Sequence, residues 1–121
     1  MSRAARIIEA QAEADDDEQT YYHVTPARNV SKIMREGLHP RIGRRSKALG
    51  EKHPATYLYK TPGEAEEGVM NWLGDQFSED TRLSMLKVHV PRDMPVEHEA
   101  FEHRVMQHIP AQHISVHKAG L

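Results

Sequence analysis

The sequence predicts a single α+β domain in which mainly antiparallel strands carry a few helices, and three observations lead there. Leu83 to Val90 alternates, with Leu86, Val88 and Val90 on one face and Met85, Lys87 and His89 on the other, the pattern of a half-buried strand. Two shorter β-prone stretches, Tyr21-Tyr22-His23-Val24 and Thr56-Tyr57-Leu58-Tyr59, stand well apart in the chain. Each is followed by helix-start punctuation, Thr25-Pro26 in one case and Thr61-Pro62 in the other. The predicted order is strand, helix, long loop, strand, helix, strand, short helix, strand, strand.

Residues 2 to 14 are rich in Ala, Glu, Arg and Gln, with Ile7 and Ile8 as their only large apolar side chains. They predict a helical arm, and Asp15-Asp16-Asp17-Glu18 an acidic hinge, so that 1–19 forms the arm and hinge and 20–121 the folded domain. Two isoleucines cannot bury a full helical face. The arm therefore frays, lies against the body, or makes a homodimer by packing on another copy of the chain.

In the body, Thr25 is placed to cap the first helix, Pro26 to begin it and Gly37 to end it in a left-handed conformation, with Val30, Ile33 and Met34 repeating at helical spacing. Leu38 would supply the apolar contact of such a helix ending. The long connection from His39 to Pro54 carries Arg41, Arg44, Arg45, Lys47 and Lys52 against one acid, Glu51, which makes it a basic loop in an acidic protein. Thr61-Pro62-Gly63-Glu64 reads as a capping box, and Ala65, Val69, Trp72, Leu73 and Phe77 form the apolar stripe of the helix behind it. The strand from Leu83 ends before Pro91 and should be central or nearly so. The tail offers a short polar segment around Glu97 to Glu102, an apolar step at Val105-Met106 and a last strand around His113 to Val116.

Composition narrows the function. The chain has 121 residues, 38% of them apolar and 28% charged, with a net charge of −2, so there is no global bias toward nucleic acid or membrane and an anion site must be local. Cysteine is absent, which excludes disulfides, thiolate catalysis and Cys-ligated zinc. The first 14 residues hold two arginines but no apolar run, so neither a signal peptide nor a membrane span is expected, and a cytoplasmic protein is.

Candidate chemistry gathers at three places: His23-Val24-Thr25 at the end of the first strand, Thr56 to Tyr59 after the basic loop, and Glu102 seven residues before Ile109-Pro110. Together they resemble the ADP-ribosyltransferase superfamily. Tyr22-His23-Val24-Thr25, then Ile33, then Gly37-Leu38, is similar to the opening of its His-containing branch, which includes DarT-type toxins and tRNA 2′-phosphotransferases. Ala55-Thr56-Tyr57-Leu58-Tyr59 is similar to that branch's second motif, and Glu102 ahead of Ile109-Pro110-Ala111-Gln112-His113-Ile114 to its catalytic glutamate and the strand that follows. The resemblance spans about residues 21 to 116.

It implies a split, mainly antiparallel sheet with NAD, as co-substrate, in the cleft where its halves part. His23 would hydrogen-bond a ribose hydroxyl, the backbone at Val24 and Thr25 would hold the nicotinamide amide, Tyr57 would stack on its ring with Tyr59 nearby, and Glu102 would be the catalytic acid residue. Arg28, Arg41, Arg44 and Arg45 are candidates for the diphosphate, since the guanidinium fork pairs well with phosphate oxygens. Glu97 and Glu99 are close enough in sequence to replace Glu102. The implied activity is mono-ADP-ribosyl transfer to a protein or nucleic-acid acceptor, which suits a bacterial or phage-borne effector. Two alternatives stand beside it: RNA 2′-phosphotransfer, and a non-catalytic module on the same fold that binds a nucleotide or a protein.

The tail histidines, His98, His103, His108, His113 and His117, raise a metal site. Intervals of five put neighbours on neither one helical face nor one strand face, and His113-x-x-x-His117, which would suit a helix, spans Ile114-Ser115-Val116, which reads as strand, so no metal site is expected.

Overall fold

A computed structural model describes residues 18–41, 54–70, 81–99 and 102–121. The α+β fold holds: among the described residues there are two antiparallel three-stranded sheets and two short α-helices. The first sheet has β3 (Leu83–Pro91) between β1 (Glu18–Pro26) and β6 (Ile114–Lys118). The second has β5 (Glu102–Val105) between β2 (Thr56–Leu58) and β4 (Glu97–Glu99). Helix α1 spans Val30–Glu36 and α2 spans Pro62–Gly68. Among the described residues no helix is long and apolar enough to cross a membrane.

The alternating segment becomes the central strand β3, whose nine residues pair with all nine of β1, from Glu18 opposite Pro91 to Pro26 opposite Leu83. β1 thus takes its first two residues from the stretch expected to belong to the arm and hinge; residues 1–17 lie outside the described residues. Apolar residues from both sheets meet in one core that joins Tyr21, Leu86, Val88, Val90 and Ile114 to Leu58 and Val105, and α1 closes it through Ile33. A smaller core of Val24, Met85, Tyr59 and Ala65 lies under α2.

Local punctuation acts largely as the residues dictate. Thr61 Oγ1 accepts the Glu64 amide at 3.1 Å, with Pro62 in the first turn of α2. The rest of the expected stripe, Trp72, Leu73 and Phe77, lies outside the described residues. Gly37 ends α1 with φ +83°, and a Cβ there would run into the Ile109 carbonyl and come within 2.7 Å of His108 Nε2, so only glycine fits. Leu38 exchanges backbone hydrogen bonds with Ile109, 2.9 Å each way, and joins the larger core.

Two expectations are corrected. Thr25 does not cap the first helix: it is a buried strand residue opposite Ser84, and Pro26 ends the strand rather than opening a helix. The β1–β3 ladder runs on through Pro26, whose ψ of 136° is extended, and the Ala27 amide reaches the Arg82 carbonyl at 2.8 Å. A 3₁₀ turn, Ala27–Asn29, then intervenes before α1. The second correction is at Glu97–Glu99, where the expected short helix is replaced by strand β4, paired with β5 in a hairpin. The 3₁₀ turn of the tail comes later, at Ala111–His113.

Candidate functional site

Among the described residues one β-bridge joins the backbones of the two sheets. Tyr22 and Tyr59 exchange backbone hydrogen bonds of 2.7 and 2.8 Å, and regular pairing between β1 and β2 goes no further. Continuing that register would set Val24 opposite Tyr57. In an antiparallel strand the N–H and C=O of one residue point to the same side and alternate between neighbours. The Tyr57 carbonyl therefore faces β1, and the backbone of Val24 faces β2.

His23 occupies the join. Its Nδ1 lies 2.8 Å from the Tyr57 carbonyl. A carbonyl only accepts, so Nδ1 carries the hydrogen and Nε2 keeps a lone pair. Burial is the largest influence on the ring and pushes its pKa down; the bond to Tyr57 opposes this and the charge of Arg41 adds to it, with a net lowering. The imidazole is thus neutral near pH 7, anchored at one nitrogen and an acceptor at the other. His23 takes the carbonyl that a continued ladder would have given to Val24, and the Val24 backbone is left facing β2.

On the far side of the seam, Tyr59 is 1% exposed and its hydroxyl donates to Glu102 Oε2 at 2.8 Å. Glu102 opens β5 and is itself 8% exposed. Its competitors differ: Glu97 is exposed and paired with Arg104 at 2.8 Å, and Glu99 lies across the hairpin from Glu102. A buried carboxyl group needs hydrogen-bond partners, and the Tyr59 hydroxyl is one.

The other expected site residues sort by position. Val24 offers its backbone, and Tyr57 is half-buried opposite Arg104. Tyr59 and Thr25 are core residues, and the Tyr59 hydroxyl is bonded to Glu102. Arg41 forms a bridge with Ala55, 3.1 and 3.3 Å, that closes the base of the basic loop beside β2, near enough for its charge to act on His23. Arg28 is exposed on the 3₁₀ turn after β1. Arg44 and Arg45 lie outside the described residues.

Sequence reasoning missed the Tyr59–Glu102 bond, because alternation alone gave Tyr57 and Tyr59 equal standing. It also missed a pair of histidines that the β4–β5 hairpin brings face to face, His98 and His103, with Nδ1 atoms 2.6 Å apart. Among the described residues no group of three or more His, Cys, Asp or Glu side chains is arranged to hold a metal ion.

No protein-family model matches the chain, and neither a search of curated proteins nor one of solved structures finds a match.

Proposed function

We propose that the chain is an NAD-dependent mono-ADP-ribosyltransferase that passes ADP-ribose to a macromolecular acceptor, protein or nucleic acid, and releases nicotinamide. The observation that carries the reading is the end of the β1–β2 pairing at His23, where a neutral imidazole acceptor holds the Tyr57 carbonyl and the Val24 backbone faces β2 without continuing the ladder. These groups match what NAD needs. His23 Nε2 takes a hydrogen from a ribose hydroxyl, Val24 holds the nicotinamide amide, Tyr57 stacks on the ring, and Arg41 stands by for the diphosphate.

The bond from ribose C1′ to the nicotinamide nitrogen breaks with its electron pair leaving on nicotinamide, and the acceptor's nucleophile bonds to C1′ and gives up a proton. Positive charge grows on the ribose in between, and the Glu102 carboxylate, held by Tyr59, stabilises it.

One observation favours a second reading, a non-catalytic binding module: Glu102 is buried and already bonded, as a structural carboxylate would be. The test is nicotinamide release and transfer of label from NAD into a cell lysate. The wild type should do both, and Glu102→Gln should cut turnover by about two orders of magnitude or more while leaving NAD affinity largely intact. A wild type that binds NAD and releases nothing makes the module reading correct.

A further inference from the structure

The His98–His103 pair sits on β4 and β5, outside the seam. The turn of the hairpin makes Glu99 and Glu102 partners, then His98 and His103, then Glu97 and Arg104. An interval of five, which separates side chains on a single helix or strand, thus becomes direct opposition across a hairpin. The two rings meet edge-on, with centroids 4.8 Å apart and planes at 78°, and their Nδ1 atoms converge to 2.6 Å.

Two neutral imidazoles that meet nitrogen to nitrogen share one hydrogen and must take opposite tautomers. A divalent transition metal uses both lone pairs at once. The pair is also prepared for such a ligand. Alternation places the Glu97–Arg104 salt bridge on the other face of the hairpin, where it fixes the register without competing for the imidazoles. The ring of His103 rests against Tyr21, with centroids 5.3 Å apart. The ammonium of Lys60 stands over the Tyr21 ring, 5.1 Å from its centroid.

We infer that His98 and His103 form a two-imidazole site for a borderline divalent metal ion of the zinc, nickel or copper type, with solvent completing the coordination. Zinc–nitrogen bonds of about 2.0–2.1 Å at a tetrahedral angle put the two nitrogens about 3.3 Å apart, so the rings need only swing outward by roughly 0.7 Å. His98 is exposed and His103 half-buried, so the rings have room to do so. Ligand preference follows the imidazole donors, which suit zinc, copper and nickel over magnesium or calcium. The bound ion staples β4 to β5, the strand that opens with Glu102. The inference stands independently of any reaction at the seam.

A second histidine pair supplies the control. His39 and His108 stack face to face, with centroids 4.2 Å apart and planes at 19°, and His108 Nε2 donates to the Glu36 carbonyl at 2.6 Å. Stacked rings hold their in-plane lone pairs side by side rather than aimed at one another.

The experiment is calorimetric titration of the full chain with Zn²⁺ alone, in the wild type, in His98→Ala, in His103→Gln, and in the double variant His39→Ala/His108→Ala. The wild type should bind one Zn²⁺ and gain thermal stability from it, each hairpin variant should bind at least about tenfold more weakly, the smallest loss typical of disturbing a metal site, and the double variant should behave as wild type. A circular dichroism spectrum for each variant checks the fold. Unchanged binding in the hairpin variants, equal weakening in the control, or no binding by the wild type overturns the inference.

Discussion

The two long edges of β1 do opposite things. Toward β3, every residue from Glu18 to Pro26 is paired. Toward β2, one residue is, Tyr22 with Tyr59. Along the first edge the residues that meet across the strands include Tyr21 with Val88 and Val24 with Met85, all buried, and the ladder is continuous. Along the second, a histidine side chain takes the next carbonyl in line and the ladder stops. The same nine residues are thus frame on one edge and opening on the other, and the choice at a single position, His23, makes the difference.

Breaking the frame should have the largest effect. Leu86 is fully buried on β3 opposite His23. Leu86→Ala should destabilise the fold by about 2–5 kcal/mol in denaturant unfolding, the usual range for a buried leucine. His23→Ala, at the same level on the other strand, should cost far less. Equal losses would show that the two edges are not distinct in the way described.

The next effect belongs to the far wall of the seam. Tyr59→Phe removes a donor from a buried carboxylate and leaves the ring in place, so unfolding should become easier by about 1–3 kcal/mol. Tyr57→Phe, at a half-buried position two residues earlier, should cost less than Tyr59→Phe, since its ring and its carbonyl bond to His23 both survive. A reversed ranking would move the structural tyrosine to position 57.

How much of this the residues announce depends on whether the force is local. β3 was legible because alternation is a local pattern and Leu86, Val88 and Val90 satisfy it. The start of α2 was legible because a capping threonine and its amide lie three residues apart, at Thr61 and Glu64. Thr25 misled, since the same Thr-Pro signal that starts a helix also tolerates an extended strand end, and pairing with Ser84 outweighed it. β4 was hidden: Glu97-His98-Glu99 has no β-branched or aromatic residue and becomes a strand only because β5 is beside it. At the site, His23 and Glu102 were singled out, but the partner that orients each, the Tyr57 carbonyl and the Tyr59 hydroxyl, depends on cross-strand register that no local pattern encodes.

A smaller effect concerns pH. Burial and Arg41 outweigh the bond to Tyr57, so His23 in the folded protein titrates below the ordinary histidine value. As pH falls through about 6.5, the unfolded chain takes up its proton first, and the stability present above that value is progressively lost. His103 is shifted the same way and adds to the slope. Unfolding measured between pH 7 and pH 4 should show stability falling more gently in His23→Gln than in the wild type. Identical slopes would mean that the ring at the seam is not held neutral by the fold.

The most direct test of the division between frame and opening is a nuclear magnetic resonance titration of the labelled full chain with NAD. The account predicts that the Val24 amide and the His23 ring signals move most, with Tyr57 beside them, while the amides of β3 from Lys87 to Val90 stay where they are. NAD that leaves His23 and Val24 unmoved, or that shifts the β1–β3 ladder instead, would contradict it.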